Sequence, residues 1–136
     1  MAIIALLTDF GMRDPYVAAM KGVIASRCEA RIEDLSHEVA AFDVFGAAWF
    51  LRAVVSYWPE GTIFVVVVDP GVGTARRILA AQQDGRVFLA PDNGVLSLVI
   101  ASVASDLGDG RRADPSTQVP RYARDDMFSV EKQSLF

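Results

Sequence analysis

The segment VVVVDPGVGTARR, residues Val65–Arg77, indicates the fold class most directly. The uncharged, valine-rich residues Thr62–Val68 are typical of a strand that is buried on both faces of a sheet. The strand is followed by Asp69 and by a turn with two glycines, which let the backbone approach a ligand closely. In open α/β sheets, ligands bind just beyond the carboxyl ends of such strands, and Asp69 falls at this position.

Two other apolar runs end in the same way. Ala2–Leu7 is followed by Thr8-Asp9-Phe10-Gly11, and Val87–Ala90 is followed by Pro91-Asp92-Asn93-Gly94. Each run brings an acidic residue and a glycine to what we expect to be one edge of the sheet. Asp-Gly and Asn-Gly are also ordinary turn formers, so one such ending alone would indicate only a turn. Three of them favour a binding or catalytic site.

Strands alternate with helices along the first hundred residues. The remaining predicted elements are a helix at Tyr16–Arg27, a strand at Arg31–Leu35, a helix at Asp43–Trp58, a hairpin of Ile78–Gln82 with Arg86–Ala90, and a helix at Val95–Ser105. This order predicts an α/β domain with a largely parallel sheet. We expect its core to span residues 1–105, with 106–136 as an irregular, divergent or truncated end.

Composition narrows the class of protein. The chain has 136 residues, enough for one domain, of which 52% are hydrophobic and 22% charged. A net charge of −4 argues against nucleic acid as a main partner, and no apolar run reaches the ~18 residues of a membrane span. A single cysteine excludes an intramolecular disulfide, and one cysteine with one histidine is too few ligands for a zinc site of the usual kind. With no basic leader, we expect a cytoplasmic protein.

Taken together, the segments resemble the S-adenosyl-L-methionine (SAM) hydroxide adenosyltransferases, which hydrolyse SAM to adenosine and methionine and are related to fluorinases and chlorinases. The stretches that carry the resemblance are Leu6–Ile24, Ile32–Leu51, Pro59–Arg77 and Ala90–Ser97. They occur in family order and at family-like spacing. The resemblance implies a three-layer α/β/α sandwich with a mostly parallel central sheet, SAM as the substrate, no cofactor or metal, and a homotrimer.

The resemblance also implies residue roles at the substrate. Asp9 would bind the ribose hydroxyls of SAM, and Asp14 would face the methionine ammonium group. Phe42 falls where the halogenating relatives place an aromatic ring against the substrate. Phe10 and Asn93 belong to the same expected substrate-binding set.

The resemblance assigns the attacking water to three polar residues. Two of these are Asp69 and Arg76, and the halogenating relatives carry an uncharged residue where Asp69 stands. Arg77 is a less suitable partner for Asp69, because adjacent residues on an extended segment face opposite sides. The third family residue is a histidine in a Phe-His-Gly-Arg-Asp pattern, and here Tyr122 takes its position in Arg121–Asp125. His37 follows an Asp-x-x-His pattern instead, and we interpret it as structural.

Two alternatives to a hydrolase remain at this stage. The family has a C-terminal β-rich domain, which supplies the adenine pocket and is missing here, so the chain could be a non-catalytic oligomerisation module or a truncated relic. The second alternative is a metal-dependent phosphohydrolase built on Asp9, Asp14, Asp69 and Asp92, since carboxylates at strand ends can hold Mg²⁺. The chain lacks the Gly-rich loop with a lysine that is typical of many phosphate sites.

Overall fold

A computed structural model of the chain describes residues 1–100, which form a five-stranded sheet with helices on both faces. Its main elements are β1 (Ala2–Thr8), α1 (Tyr16–Arg27), β2 (Ala30–Ser36), α2 (Val44–Val54), β3 (Ile63–Val67), β4 (Ile78–Gln83) and β5 (Arg86–Pro91). The predicted α/β class is confirmed.

The strand order places four parallel carboxyl ends at one edge of the sheet. The order is β2-β1-β3-β5-β4, and only β4 runs antiparallel to its neighbour. Thr8 at the end of β1 is level with Val67 at the end of β3. Asp9 and Asp69 therefore leave the same edge from adjacent strands, and Asp92 leaves it from β5.

The main core lies between the sheet and α2. Phe64 and Phe88 stack with ring centroids 5.1 Å apart, and both are almost fully buried. Ala47 and Leu51 of α2 belong to the same buried cluster. On the opposite face, Lys21 of α1 bonds to Asp34 of β2. The two helices thus cover opposite faces of the sheet, as a three-layer sandwich requires.

Two predicted helices differ from the observed elements at their ends. Asp43 is the N-cap of α2, and its carboxylate accepts a hydrogen bond from the Gly46 amide. The helix ends at Val54 and continues as a 3₁₀ turn before Pro59, which disfavours helical backbone in the residue before it. Residues 97–100 are helical. The rest of the third predicted helix and the 106–136 end lie outside the described residues.

No helix within residues 1–100 combines the length and the apolar character needed to cross a membrane.

Candidate functional site

Asp69 is held by one of its two carboxylate oxygens. Its Oδ1 accepts a hydrogen bond from the Gly71 amide at 2.8 Å and forms an ion pair with Arg76, whose Nε lies 3.0 Å away. The Asp69 side chain is 13% exposed, so it lies in the wall of the site and not free in solvent. Within residues 1–100, no hydrogen bond to Oδ2 is found. One oxygen therefore fixes the carboxylate, and the other is available to a ligand or a water.

The Arg76 guanidinium packs directly against the backbone of Gly71. A Cβ atom at residue 71 would sit only 2.9 Å from Nε of Arg76, and it would come still closer to Nη2. Arg76 is fixed further because its Nη1 donates to the backbone oxygen of Asp92 at 3.2 Å. The sequence favoured Arg76 as the partner of Asp69, but it did not indicate that the guanidinium packs against Gly71.

The next residue, Arg77, faces a different acid. Its Nη2 lies 2.9 Å from Oδ2 of Asp92, and its side chain is 80% exposed. Adjacent side chains on an extended segment point to opposite sides, and Arg76 accordingly pairs with Asp69 whereas Arg77 pairs with Asp92. Asn93 links the segments that follow β5 and β3, because its side-chain Nδ2 donates a hydrogen bond to the Val68 backbone oxygen at 2.8 Å.

A second part of the site surrounds Asp9 at the end of β1. Its Oδ2 accepts a hydrogen bond from the Phe42 amide at 2.8 Å. Phe42 has a φ of +62°, a left-handed conformation that is uncommon for a bulky residue, and its ring is 61% exposed. Phe10 lies half-buried against Tyr16, with ring centroids 5.8 Å apart. Asp14 is exposed just before α1.

An apolar groove of about 300 Å³ lies beside Asp69. It is lined by apolar side chains of β3, β4, β5 and the turn after β3, among them Val65, Val67, Val72, Ile78 and Leu89. A carboxylate at the rim of an apolar groove provides one charged contact next to a poorly hydrated surface. This combination is typical of small-molecule sites.

Polar side chains of β1, β2 and α1 contact one another next to the Asp9 turn, which comprises residues 8–11. Thr8 Oγ1 lies 2.8 Å from Nδ1 of His37, and Nε2 of His37 lies 3.0 Å from Oδ1 of Asp34, outside hydrogen-bond alignment. Lys21 donates to Oδ2 of Asp34 at 2.6 Å. Partial burial raises the pKa of Asp34, but the hydrogen bond and charge of Lys21, together with the nearby His37 ring, outweigh this effect and hold that pKa below its usual value. The sequence patterns gave Thr8 no role in the site.

The lowered pKa of Asp34 leads to a stability prediction. Its carboxylate stabilises the fold above the ordinary pKa of 3.8, and this contribution is lost as the pH falls through the lower folded-state value. We expect Asp34→Asn to lower the free energy of unfolding at pH 6, and the difference from the parent chain to shrink below about pH 4. Urea unfolding across this pH range measures it. Glu33→Gln on the same strand is the control, and an equal pH dependence in both variants would contradict the assignment.

The acidic residues named for a metal site do not gather in the described part of the chain. Within residues 1–100, no three His, Cys, Asp or Glu side chains are arranged to hold a metal ion. Asp69 and Asp92 are each engaged by an arginine instead. Tyr122, the residue at the family histidine position, lies outside the described residues.

Comparison with known proteins gives relatives named as SAM hydrolases and relatives named as fluorinases. Two are named (R)-S-adenosyl-L-methionine hydrolase. The one from Thermus thermophilus is 47% identical over 94 residues, covering 68% of this chain and 36% of the relative. The one from Methanocaldococcus jannaschii is 38% identical over 103 residues, covering 71% and 39%. A crystal structure of a conserved hypothetical protein from Thermus thermophilus superposes with a TM-score of 0.70 at 41% identity, covering 75% of this chain and 43% of that one.

The match to a defined family is longer than any of these. The SAM hydroxide adenosyltransferase N-terminal domain matches residues 4–129. The chain spans less than half the length of the curated relatives it matches. It belongs to the SAM hydroxide adenosyltransferase family and corresponds to the N-terminal domain of that family.

Proposed function

We propose that this chain forms the N-terminal half of a SAM hydrolase active site, in which water attacks C5′ of SAM to give adenosine and L-methionine. The observation that carries the proposal is the Asp69–Arg76 pair, fixed over Gly71 at the carboxyl end of a central strand. The two relatives named as SAM hydrolases support the choice of substrate.

The proposed reaction needs no metal and no added cofactor. A bond forms between the water oxygen and C5′ while the C5′–S bond breaks. The electron pair of that bond goes to the sulfonium sulfur, which leaves as the neutral thioether of methionine. The water proton passes to Oδ2 of Asp69, the oxygen that has no hydrogen bond within residues 1–100. A correctly placed base of this kind contributes ~10²–10⁴-fold to the rate.

Arg76 has a positioning and electrostatic role in this scheme. Its Nε fixes Oδ1 of Asp69, and its charge stabilises the partly hydroxide-like water in the transition state. We assign Asp9 to the ribose hydroxyls and Asp14 to the methionine ammonium group. The exposed ring of Phe42 would cover the substrate, next to Phe10 and Asn93. Tyr122 is proposed near the water, where the family has histidine.

The experiment that tests the function uses a chimera, in which residues 1–129 replace the matching part of the Thermus thermophilus relative. We call it the completed chimera. Incubated with SAM in ¹⁸O-labelled water, it should release methionine and adenosine with the label in the 5′-hydroxyl. Product with no label would exclude attack of water at C5′. Loss of turnover on adding EDTA would instead favour the metal-dependent alternative.

We also predict that water is preferred over halide as the nucleophile. A halide bound where the water attacks would lie near the Asp69 carboxylate, and two unit charges ~4 Å apart repel by about 4 kcal/mol at an effective dielectric of 20. Mass spectrometry of the completed chimera with SAM and molar chloride should therefore find adenosine as the main product. Asp69→Asn, which removes the charge, is the matched variant for the chloride arm. 5′-Chloro-5′-deoxyadenosine as the main product of the parent would contradict the prediction.

A further inference from the structure

Thr8 and His37 form a buried polar pair directly behind the Asp9 turn. Thr8 is fully buried and His37 is 3% exposed, and their side chains meet at 2.8 Å. They come from the ends of adjacent parallel strands, β1 and β2. A buried polar side chain is costly unless it forms a hydrogen bond, so the Thr8–His37 bond is a specific tertiary contact, although Nε2 of His37 has no hydrogen-bond partner within residues 1–100.

Residue 37 holds the turn that carries Asp9 at both of its ends. At the first end, the His37 ring binds Thr8 Oγ1, and the same oxygen accepts a hydrogen bond from the Phe10 amide at 3.2 Å. At the second end, the His37 backbone oxygen accepts a hydrogen bond from the Gly11 amide at 2.7 Å. Gly11 has a φ of +68°, which makes this sharp return possible. Asp9 lies between these two points.

The Thr8–His37 hydrogen bond can form with either ring tautomer, because Thr8 Oγ1 can donate to Nδ1 or accept from it. Thr8 Oγ1 already accepts from Phe10, so its own hydrogen is free to point to Nδ1 of His37. When Thr8 donates to Nδ1, the proton of the neutral ring is on Nε2, which lies 3.0 Å from Oδ1 of Asp34 but forms no hydrogen bond to it. This chain of contacts fixes the ring against α1 and β2.

We propose that His37 is a positioning residue that acts through Thr8 to hold the Asp9 carboxylate where it binds a ribose diol. The inference rests on the proposed function, which assigns Asp9 to the ribose. Two hydroxyls are recognised by one carboxylate only when it is held to within about 0.5 Å. The Phe42 amide fixes one oxygen of Asp9, and the Thr8–His37 pair fixes the backbone from which that side chain extends.

The test compares two ligands that differ only in the ribose hydroxyls, adenosine and 2′,3′-dideoxyadenosine. Each is titrated into the completed chimera, and the dissociation constant is measured by calorimetry. The parent chain should bind adenosine at least about tenfold more tightly, as expected for hydrogen bonds to a charged group. Thr8→Val should lose most of that preference, and Thr8→Ser, which keeps the hydroxyl, should retain it.

The chain offers a matched control for Thr8→Val. Thr62 is also a buried threonine, with one hydrogen bond to the Pro59 backbone oxygen, but it lies at the opposite end of the sheet. Thr62→Val should keep the preference for adenosine even if its melting temperature falls as much as that of Thr8→Val. Equal loss of preference in both variants would show a merely structural effect and overturn the proposal.

A second readout needs no variant, because the chain contains one histidine. The ¹⁵N spectrum of the His37 ring should show a protonated Nε2 and an Nδ1 that accepts a hydrogen bond. Two averaged ring nitrogens, with no hydrogen bond at Nδ1, would overturn the proposal even if Thr8→Val does not fold. If the parent shows no preference for adenosine, the assignment of Asp9 fails and this inference fails with it. If Thr8→Val keeps the preference of the parent, only the positioning role fails.

Discussion

In the completed chimera, Asp69→Asn is expected to lower kcat by at least ~10²-fold, with a smaller change in KM. The amide oxygen of asparagine can still accept the hydrogen bond from the Gly71 amide that Oδ1 of Asp69 accepts, and it can stay beside Nε of Arg76. The position of Oδ2, however, becomes an NH₂ group that cannot take a proton from water. The variant therefore removes the base and keeps the geometry. Initial-rate measurements of adenosine release over a range of SAM concentrations separate kcat from KM.

Asp84→Asn provides the control for this substitution. Asp84 lies in the exposed β4–β5 turn with a φ of +48°, a conformation that asparagine tolerates well. We expect its kcat to stay within about twofold of the parent value, because surface changes away from the site have small effects. If Asp69→Asn also left kcat unchanged, Asp69 would have no part in the chemical step.

The adjacent arginines give a second matched pair for the same site. Arg76→Gln removes the group that fixes Asp69, whereas Arg77→Gln removes a group that pairs with Asp92. Only the first should lower kcat substantially. An equal loss in both variants would indicate that positive charge near the strand ends matters, and not the contact with Asp69.

Much of the fold was predictable because its elements depend on local patterns. The valine run of β3, the helical spacing in α1 and the Asp84-Gly85 hairpin turn each specify a local structure. The distribution of Arg76 and Arg77 between two acids also followed from a local rule, the alternation of side chains along an extended segment.

The features that were not predictable depend on contacts distant in sequence. The Thr8–His37 bond joins residues 29 positions apart, and no local pattern relates them. The left-handed conformation of Phe42 occurs together with its hydrogen bond to Asp9, 33 positions away. The sheet order also had to come from the structure, since alternation of strands and helices does not state that β1 lies between β2 and β3.

The 136-residue chain alone is expected to show no measurable turnover of SAM. The 94 residues that match the Thermus thermophilus hydrolase cover 36% of that protein, and the family resemblance assigns the adenine pocket to the remaining part. In residues 1–100 the proposed site is open on one side, with the Phe42 ring 61% exposed. Bulk water that enters an open site weakens the electrostatic contribution of Asp69 and Arg76. The chain should also self-associate, since Phe45 and Trp49 expose 72% and 63% of their surface on one helix.

Calorimetric titration with SAM and an adenosine-release assay on the isolated chain test this, with the completed chimera as the positive control. We expect a dissociation constant for SAM well above the micromolar range and release of adenosine no faster than in buffer.

The chimera separates two causes of failure, because it restores the rest of the relative and leaves Tyr122 in place. An active chimera with an inactive isolated chain assigns the loss to the incomplete site. If both are inactive and Tyr122→His restores the chimera, the loss lies in the residue at the family histidine position, because a phenol with a pKa near 10 is a poor base at neutral pH. Micromolar binding with steady turnover by the isolated chain would show that the N-terminal domain is sufficient.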